Sequence, residues 1–420
     1  MPDPTSAEAL LNRPPAALPA ACEVLVVGAG PAGSAAARQL AHEGFDVVLV
    51  DQHAFPRDKV CGDGLIPDAH RALSRLGLLD EVMARARAVR HLRCVAPRGG
   101  MLDVPGTLSV LPRRELDLLL CRAAAEAGAR MHAPLRFVEA LEDADGRVVG
   151  ARLADGDTLH ALRARWVVLA TGAVPQAALA AGLCTRRTPS AVALRGYVKN
   201  DAMVGRLNEL EVVWHPRIAS GYGWIFPAPG GVFNIGVSVA CRPRRGRTAM
   251  PDVNLRESFA AFCEVHAPAR ELMAGGTLLG ALKGAPLRCT LEGARFSRPG
   301  LLAAGEVVGS TYALTGEGIG KALETGLLAA DALAAARREG LDDAATRARY
   351  EAALAALRPR FRVYEQARTV NERPWLVDLL LWSARRSPRR VRQMSGVLDE
   401  THAPVNLVTP RSFLRMVFER

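Results

Sequence analysis

The sequence predicts an α/β protein: a doubly wound nucleotide-binding domain, interrupted by an inserted antiparallel β-sheet domain for substrate and closed by a C-terminal helical segment. Three observations predict it. A glycine-rich turn stands between an apolar run and a helix-forming stretch near the N-terminus, and a second strand–glycine–helix pattern follows far along the chain. Between the two lies a segment whose apolar residues alternate at the period of a strand.

The first element is the apolar run Glu23–Val27. It is followed by Gly28-Ala29-Gly30-Pro31-Ala32-Gly33 and a helix-forming stretch from Ser34 to His42. This is GxGxxG between strand and helix, the Rossmann-like fingerprint. Gly28 permits the tight turn, Gly30 lets backbone approach a pyrophosphate, and Gly33 lets the helix lie on the sheet, with Ala32 at the helix start. A second strand, Asp46–Val50, ends in Asp51, 23 residues after Gly28, where a carboxylate can accept from an adenosine ribose hydroxyl. FAD and NAD share this pattern, so the choice rests on the far end. Gly300–Glu306 reads as a strand ending in Gly305-Glu306, and it leads into Thr315-Gly316-Glu317-Gly318-Ile319-Gly320 and a helix to Ala336. Glu306 can accept from a ribityl hydroxyl. Gly316, Gly318 and Ile319 supply N–H groups and a positive dipole end to the pyrimidine edge of a reduced flavin. FAD is therefore the expected cofactor. No second GxGxxG follows a strand, so the electron donor, NAD(P)H or ferredoxin, has to visit transiently.

From Thr185 to Ala294 the pattern becomes strand-like, over Ala191–Lys199, Glu211–His215, Gly221–Pro227 and Val232–Val239. Within it Tyr222, Trp224 and Phe226 recur at period two and share one face. Two readings stand: packing of sheet against helix, or an apolar wall over a flavin ring. The resulting domain layout is a flexible arm at 1–20, an FAD-binding domain at 21–184 and 294–340, a substrate sheet at 185–293 and a helical region at 341–420.

Composition bounds the answer. With 420 residues, 49% hydrophobic and 23% charged, collagen, intrinsic disorder and small disulfide scaffolds are excluded. The first 21 residues carry acids and prolines rather than a basic start before an apolar segment, so no secretory signal is expected. The longest uncharged stretch, Trp166–Leu183, is broken by Gly172 and Pro175, so no membrane span is expected. Eight cysteines without CxxC, and histidines without ligand spacing, argue against a metal and for a reducing, cytoplasmic compartment. The net charge is +11, and from Arg337 onward 17 Arg oppose 10 Asp plus Glu. There Trp375, Leu376, Leu379, Leu380 and Ser383 fall at helical spacing before an Arg385–Arg390 cluster. This reads either as a helix packed on the core or as a lid or peripheral membrane contact suited to anionic headgroups or a diphosphate-bearing substrate; nucleic acid is not the expected partner.

Together with both nucleotide ends, Phe55-Pro56-Arg57-Asp58-Lys59-Val60-Cys61-Gly62-Asp63-Gly64 resembles the geranylgeranyl reductase family, one of the p-hydroxybenzoate hydroxylase-like flavoproteins, over Cys22 to Ala336. The resemblance implies FAD contacts at Lys59, Cys61 and Gly62, at Arg113 in Arg113-Arg114-Glu115-Leu116-Asp117, and at Gly172. The sequence departs from the superfamily in two places: Gly305-Glu306 replaces the usual Gly-Asp, and Ala170-Thr171-Gly172 replaces the hydroxylases' Ala-Asp-Gly. Tyr222-Gly223-Trp224-Ile225-Phe226-Pro227 matches the family's Tyr-x-Trp-x-Phe-Pro, whereas flavin-dependent halogenases carry Trp-x-Trp-x-Ile-Pro. The implied activity is hydride transfer from reduced FAD to a carbon–carbon double bond of an isoprenoid or similar apolar substrate, with Cys61, Tyr222, Trp224 and Phe226 around it. Cys61 has two readings, a thiol that takes part in chemistry and a small residue filling space. An FAD monooxygenase is the alternative, with a halogenase or a non-catalytic redox sensor behind it.

Overall fold

The structure, a computed structural model, describes residues 9–218, 220–241, 253–292 and 294–404. Strand β1 (Ala21–Val27) runs through the glycine turn into helix α1 (Pro31–His42) and then β2 (Val47–Val50). A long loop leads to β3 (Gly64–Leu65), α2 (Pro67–Arg75) and α3 (Leu79–Arg85). The hairpin β4 (Arg87–Val95) and β5 (Met101–Val110) precedes α4 (Arg113–Glu126) and β6 (Arg130–His132). Then come β7 (Arg136–Glu142), β8 (Val148–Asp155), β9 (Thr158–Leu169) and α5 (Pro175–Ala180). The middle of the chain forms β10 (Ala191–Lys199), β11 (Leu210–Val213), β12 (Gly221–Ala228) and β13 (Val232–Ala240), then α6 (Leu255–Val265), α7 (Ala267–Ala274), β14 (Thr277–Leu278) and β15 (Lys283–Leu287). β16 (Ser297–Arg298) and β17 (Leu301–Ala303) are followed by α8 (Ile319–Glu339), α9 (Asp343–Ala367), α10 (Thr369–Glu372), α11 (Trp375–Ala384) and α12 (Pro388–Leu398).

The first sheet runs β16-β17-β9-β1-β2-β6, parallel from β17 to β6. Its central strands are apolar runs, Val24–Val27, Val47–Val50 and Val167–Leu169, buried on both faces as a helix-covered parallel sheet requires. Helices α1 and α8 pack closely because small residues let them. A Cβ on Gly326 would lie 2.1 Å from the Ala32 carbonyl oxygen. Both helices thus begin at the carboxyl ends of the strands, where doubly wound folds bind ligands.

The second sheet runs β14-β10-β13-β12-β11-β4-β5-β3, with β15 also on β10. All its pairs are antiparallel except β11 with β4, where Leu210 registers with Leu92. This sheet is wider than residues 185–293. β3, β4 and β5, which the sequence layout assigns to the 21–184 segment, extend it by three strands. Local alternation shows that a segment is a strand but not which sheet it joins, since pairing is set by distant partners.

The ends also differ from expectation. Part of the 1–20 arm is packed: Leu11 is fully buried, and Asn12 exchanges two hydrogen bonds of 2.7 Å with the backbone of Phe55; residues 1–8 lie outside the described residues. On α11 the expected apolar stripe divides. Leu376, Val377, Leu381 and Ser383 are buried, whereas Trp375, Leu379 and Trp382 face outward. The last part of the 341–420 region, residues 405–420, lies outside the described residues.

Candidate active site

A cavity of about 780 Å³ lies between the two sheets and is lined by residues of both. At one end stand the carboxyl ends of β1, β2 and β9, with Gly28, Gly30, Ala32, Asp51 and Gly172 on its surface. Gly28 has φ +100°, and a Cβ there would lie 2.5 Å from the Ala170 carbonyl oxygen. Gly33 does not line the cavity; it sits behind the turn, where a Cβ would fall 1.8 Å from the Gly28 oxygen. Gly30 is open. Nothing stands nearer to a Cβ built there than the guanidinium tips of Arg57 and Arg113, each at 3.8 Å. Two cations and a helix N-terminus around an uncovered backbone suit a diphosphate.

Those cations are held from below. Buried Asp117 accepts from Arg113 Nε at 2.6 Å and Nη2 at 2.8 Å, and from Arg57 Nη1 at 2.9 Å. Asp51 accepts from Ala29 N at 2.9 Å, His53 N at 3.0 Å and Arg57 Nη2 at 3.3 Å, which fixes its carboxylate at the end of β2. At the other wall, Glu306 Oε1 accepts from Arg288 N and Thr311 Oγ1, both at 3.2 Å. Burial pushes the Glu306 carboxyl up, and the Lys59 charge opposes that. Gly316 has φ +72° and Gly318 caps α8, so backbone N–H groups of its first turn face the same space beside Ile319. The residues present fit FAD: an open glycine over two cations, an acid at each end, and buried Thr171 Oγ1 on the lining with no hydrogen-bond partner among the described residues.

The loop from Asp51 to Gly64 ties the two sheets together. On the second-sheet side, Arg195 on β10 bonds Asp58 and donates to the Lys59 oxygen at 3.0 Å, while its guanidinium lies 4.0 Å from the Tyr197 ring centroid. Lys283 reaches Asp58 at 2.9 Å. Asp63, at φ +64° and fully buried, accepts from Arg113 N at 3.2 Å, from Tyr197 Oη, and from Asn234 Nδ2 at 2.7 Å. Burial pushes its carboxyl up to about 6 against those donors. Cys61 lies between, its Sγ accepting from Asp63 N at 3.4 Å. Burial raises its thiol and outweighs the nearby Arg113 charge, so the sulfur stays protonated at neutral pH.

Tyr222, Trp224 and Phe226 line the cavity from β12, with successive ring centroids 6.4 Å apart. Each ring is fixed. Tyr222 Oη donates to the Thr315 oxygen at 2.6 Å, and burial raises its phenol further. Trp224 Nε1 donates to Asn234 Oδ1 at 2.9 Å, and the indole covers Gly236, where a Cβ would sit 2.3 Å from it. Phe226 lies over Gly62 and Gly64 at 3.3 Å from their would-be Cβ atoms. Leu92, Leu108, Leu210 and Leu398 extend this apolar end.

The geometry adds residues that the sequence reading did not single out as site residues: Arg57, Asp63 and Glu317 on the lining, with Asn234, Asp117 and Arg195 behind them. Four of these, Arg57, Asp63, Asp117 and Glu317, lie inside motifs that were read for their neighbours, and an Asp before Gly at positive φ is a recognisable signal. Glu317 is pushed up to about 8 by burial and by the negative charges of Asp68 and Glu400, with Thr315 and Lys321 opposing. Behind it, buried Lys321 pairs with Glu324 at 2.7 Å, Glu400 at 2.9 Å and Asp68 at 3.4 Å.

The FAD binding domain model matches residues 21–244. The menaquinone reductase of Mycolicibacterium smegmatis is 34% identical over 74% of this chain and 75% of its own. The digeranylgeranylglycerophospholipid reductase 1 of Methanopyrus kandleri is 30% identical over 78% of this chain and 84% of its own. The chain belongs to the geranylgeranyl reductase family. It is an FAD-dependent oxidoreductase of that family's reductase type. A geranylgeranyl bacteriochlorophyll reductase-like protein from Thermoplasma acidophilum shares the fold, with a TM-score of 0.68 at 22% identity over 95% of this chain and 96% of that one.

Proposed function

We propose that this enzyme saturates carbon–carbon double bonds in the isoprenoid chain of a quinone or lipid. One observation carries the reading: the space that fits FAD continues without a break into an apolar chamber walled by Tyr222, Trp224, Phe226 and leucines. The relatives named above act, by their names, on menaquinone and on digeranylgeranylglycerophospholipid, two molecules that share a polyprenyl chain and little else.

FAD, when bound and reduced, supplies the hydride. Gly28, Gly30, Ala32, Asp51, Lys59, Cys61, Gly62, Arg113, Gly172, Glu306, Gly316, Gly318 and Ile319 would hold it, and Gly33 lets the turn form. The second carbon needs a proton. Glu317, Cys61 and Tyr222 all border the cavity in protonated form, and Glu317 is the one whose proton is released nearest neutrality. Tyr222 Oη already donates its hydrogen bond to a backbone oxygen, so its part is to fix the wall. An alkene has no carbonyl to polarise, so Trp224 and Phe226 work by placing the bond and excluding water. Electrons arrive from a diffusible donor, NAD(P)H or ferredoxin.

The test is mass spectrometry of menaquinone and of a geranylgeranyl lipid after anaerobic incubation with the FAD-loaded enzyme and dithionite. Gain of two hydrogens per turnover is expected. No gain anaerobically, with gain of one oxygen atom in air, would overturn the reading in favour of a monooxygenase.

A further inference from the structure

Helix α11 is apolar on two sides. Val377 and Leu381 pack inward in one cluster with Leu108, Leu210 and Leu398, the last three of which line the cavity. Trp375, Leu379 and Trp382, spaced i, i+4 and i+7, form a second stripe and are 52%, 40% and 48% exposed. The outer stripe is framed by cations. Arg386 lies 4.3 Å from the Trp382 ring centroid, and Arg385 donates to the Met101 oxygen at 2.6 Å, which brings exposed Met101 to the same edge. Arg389 follows in the first turn of α12 and is exposed. No carboxylate lies within ion-pair distance of Arg385, Arg386 or Arg389 among the described residues.

Three facts decide what this face fits. The exposed part of three such side chains is a few hundred Å², short of the roughly 800 Å² per partner that a stable protein interface buries. A second copy docking across a two-fold axis would set this arginine cluster near its own image, which charge repulsion opposes. A ten-residue helix is too short to cross a bilayer, and no described helix is long and apolar enough to do so. Indole rings beside uncompensated arginines do match the headgroup layer of an anionic membrane, where tryptophan straddles the interface and arginine meets phosphate.

We propose that α11 is a membrane-docking helix: Trp375, Leu379 and Trp382 enter the headgroup–acyl boundary of an anionic bilayer, and Arg385, Arg386 and Arg389 contact lipid phosphates. The docked face lies behind the apolar end of the cavity, separated from it by Val377, Leu381 and the leucines they pack against. Docking stands apart from the choice of substrate and is measured without turnover.

The test is cosedimentation of the FAD-loaded full chain with vesicles of phosphatidylcholine alone or with 30% phosphatidylglycerol. The wild type is expected to partition at least tenfold more onto the anionic vesicles, and less in 0.5 M salt. W375S/L379S/W382S should lower partition at least tenfold, and R386E/R389E should abolish the preference for anionic vesicles. Both variants should keep wild-type FAD content and wild-type rates on a short, water-soluble prenyl substrate. Equal binding by wild type and the triple variant overturns the proposal. So does loss of binding only when residues 405–420 are removed, or a doubled solution mass that the triple variant abolishes, which would assign the face to a second copy.

Discussion

Replacing Asn234 by alanine should cost more stability than almost any other single polar truncation in this protein. The side chain is fully buried. It accepts from Trp224 Nε1 at 2.9 Å and donates to the Cys61 oxygen and to Asp63 Oδ2, both at 2.7 Å. Truncation leaves an indole N–H, a peptide carbonyl and a carboxylate buried together without their partner, at about 1–3 kcal/mol each, the carboxylate highest. A water entering the vacated space would recover part of this, because three polar groups surround it. The expected loss is therefore about 3–5 kcal/mol. It should also depend on pH. Burial already lifts Asp63 to about 6, and losing a donor lifts it further, so its folded pKa lies above the unfolded value. The contribution of such a group is fully present below the unfolded pKa and is lost as pH rises through the folded one, so N234A should be hurt more at pH 8 than at pH 5. Urea unfolding by circular dichroism at both pH values measures the loss, and release of flavin fluorescence measures FAD affinity, expected to fall at least tenfold because the 61–63 segment must be reordered. Asn208, exposed and bonded to Arg87 and the Gly205 oxygen, is the control, and its alanine variant should stay within about 0.5 kcal/mol. If N234A lay within about 1 kcal/mol of wild type with unchanged FAD affinity, the idea that Asn234 fastens the loop to the wall would fail.

Gly33→Ala sets a methyl 1.8 Å from the Gly28 oxygen, so FAD binding should be lost, with equilibrium dialysis as the measure; retention within threefold of wild type would contradict the close approach. Gly236→Ala pushes on the Trp224 ring at 2.3 Å and on the Leu194 oxygen at 2.4 Å. It should cut turnover at least tenfold while FAD content is kept, read by steady-state rates and flavin absorbance. Glu317 sits above its ordinary range at about 8, so its stabilising contribution is present at pH 4 and disappears as pH climbs through 8. Glu317→Gln should flatten the fall in melting temperature between pH 6 and 9, and an unchanged slope would rule the assignment out. Cys61, held as a thiol by burial, should react with iodoacetamide at pH 7 at least tenfold more slowly than free cysteine, followed by mass spectrometry; a faster reaction would mean that Arg113 wins over burial.

Local signals read well from the sequence because the chemistry they report is local. The Gly28–Gly33 turn, Asp51 at the end of a strand, and the period-two ring set on β12 all depend on residues within a few positions of each other, and all line or underlie the cavity. What escaped was set by pairing at long range. Nothing near Arg87–Val110 tells that these strands lie beside Leu210 rather than in the parallel sheet. Nothing near Asn234 announces that its amide will meet Cys61 and Asp63, 173 and 171 residues earlier in the chain. On α11, the spacing of Trp375 and Leu379 was compatible with an inward stripe, but Val377 and Leu381 fill the inner face, because two apolar stripes on one helix cannot be ranked without the surface they meet.

The same distinction explains how the site is built. The aromatic strand and the two helix starts are rigid by themselves, but they belong to different sheets, and a hydride acceptor must be placed to within a fraction of an ångström. The loop from Asp51 to Gly64 supplies that coupling. Its first half is clamped through Arg57 to Asp117 and Asp51, its middle through Asp58 to Arg195 and Lys283, and its end through Asp63 to Tyr197 and Asn234. Asn234 in turn holds the Trp224 indole. The FAD-facing end and the aromatic wall are therefore joined through one loop fastened at three points, mostly by charge-assisted hydrogen bonds to buried groups, where such bonds are stiffest and an unpaired member is most costly. For the proposed reduction of an alkene, which has no carbonyl to activate, that fixed spacing between the two walls would be the main catalytic contribution open to the protein.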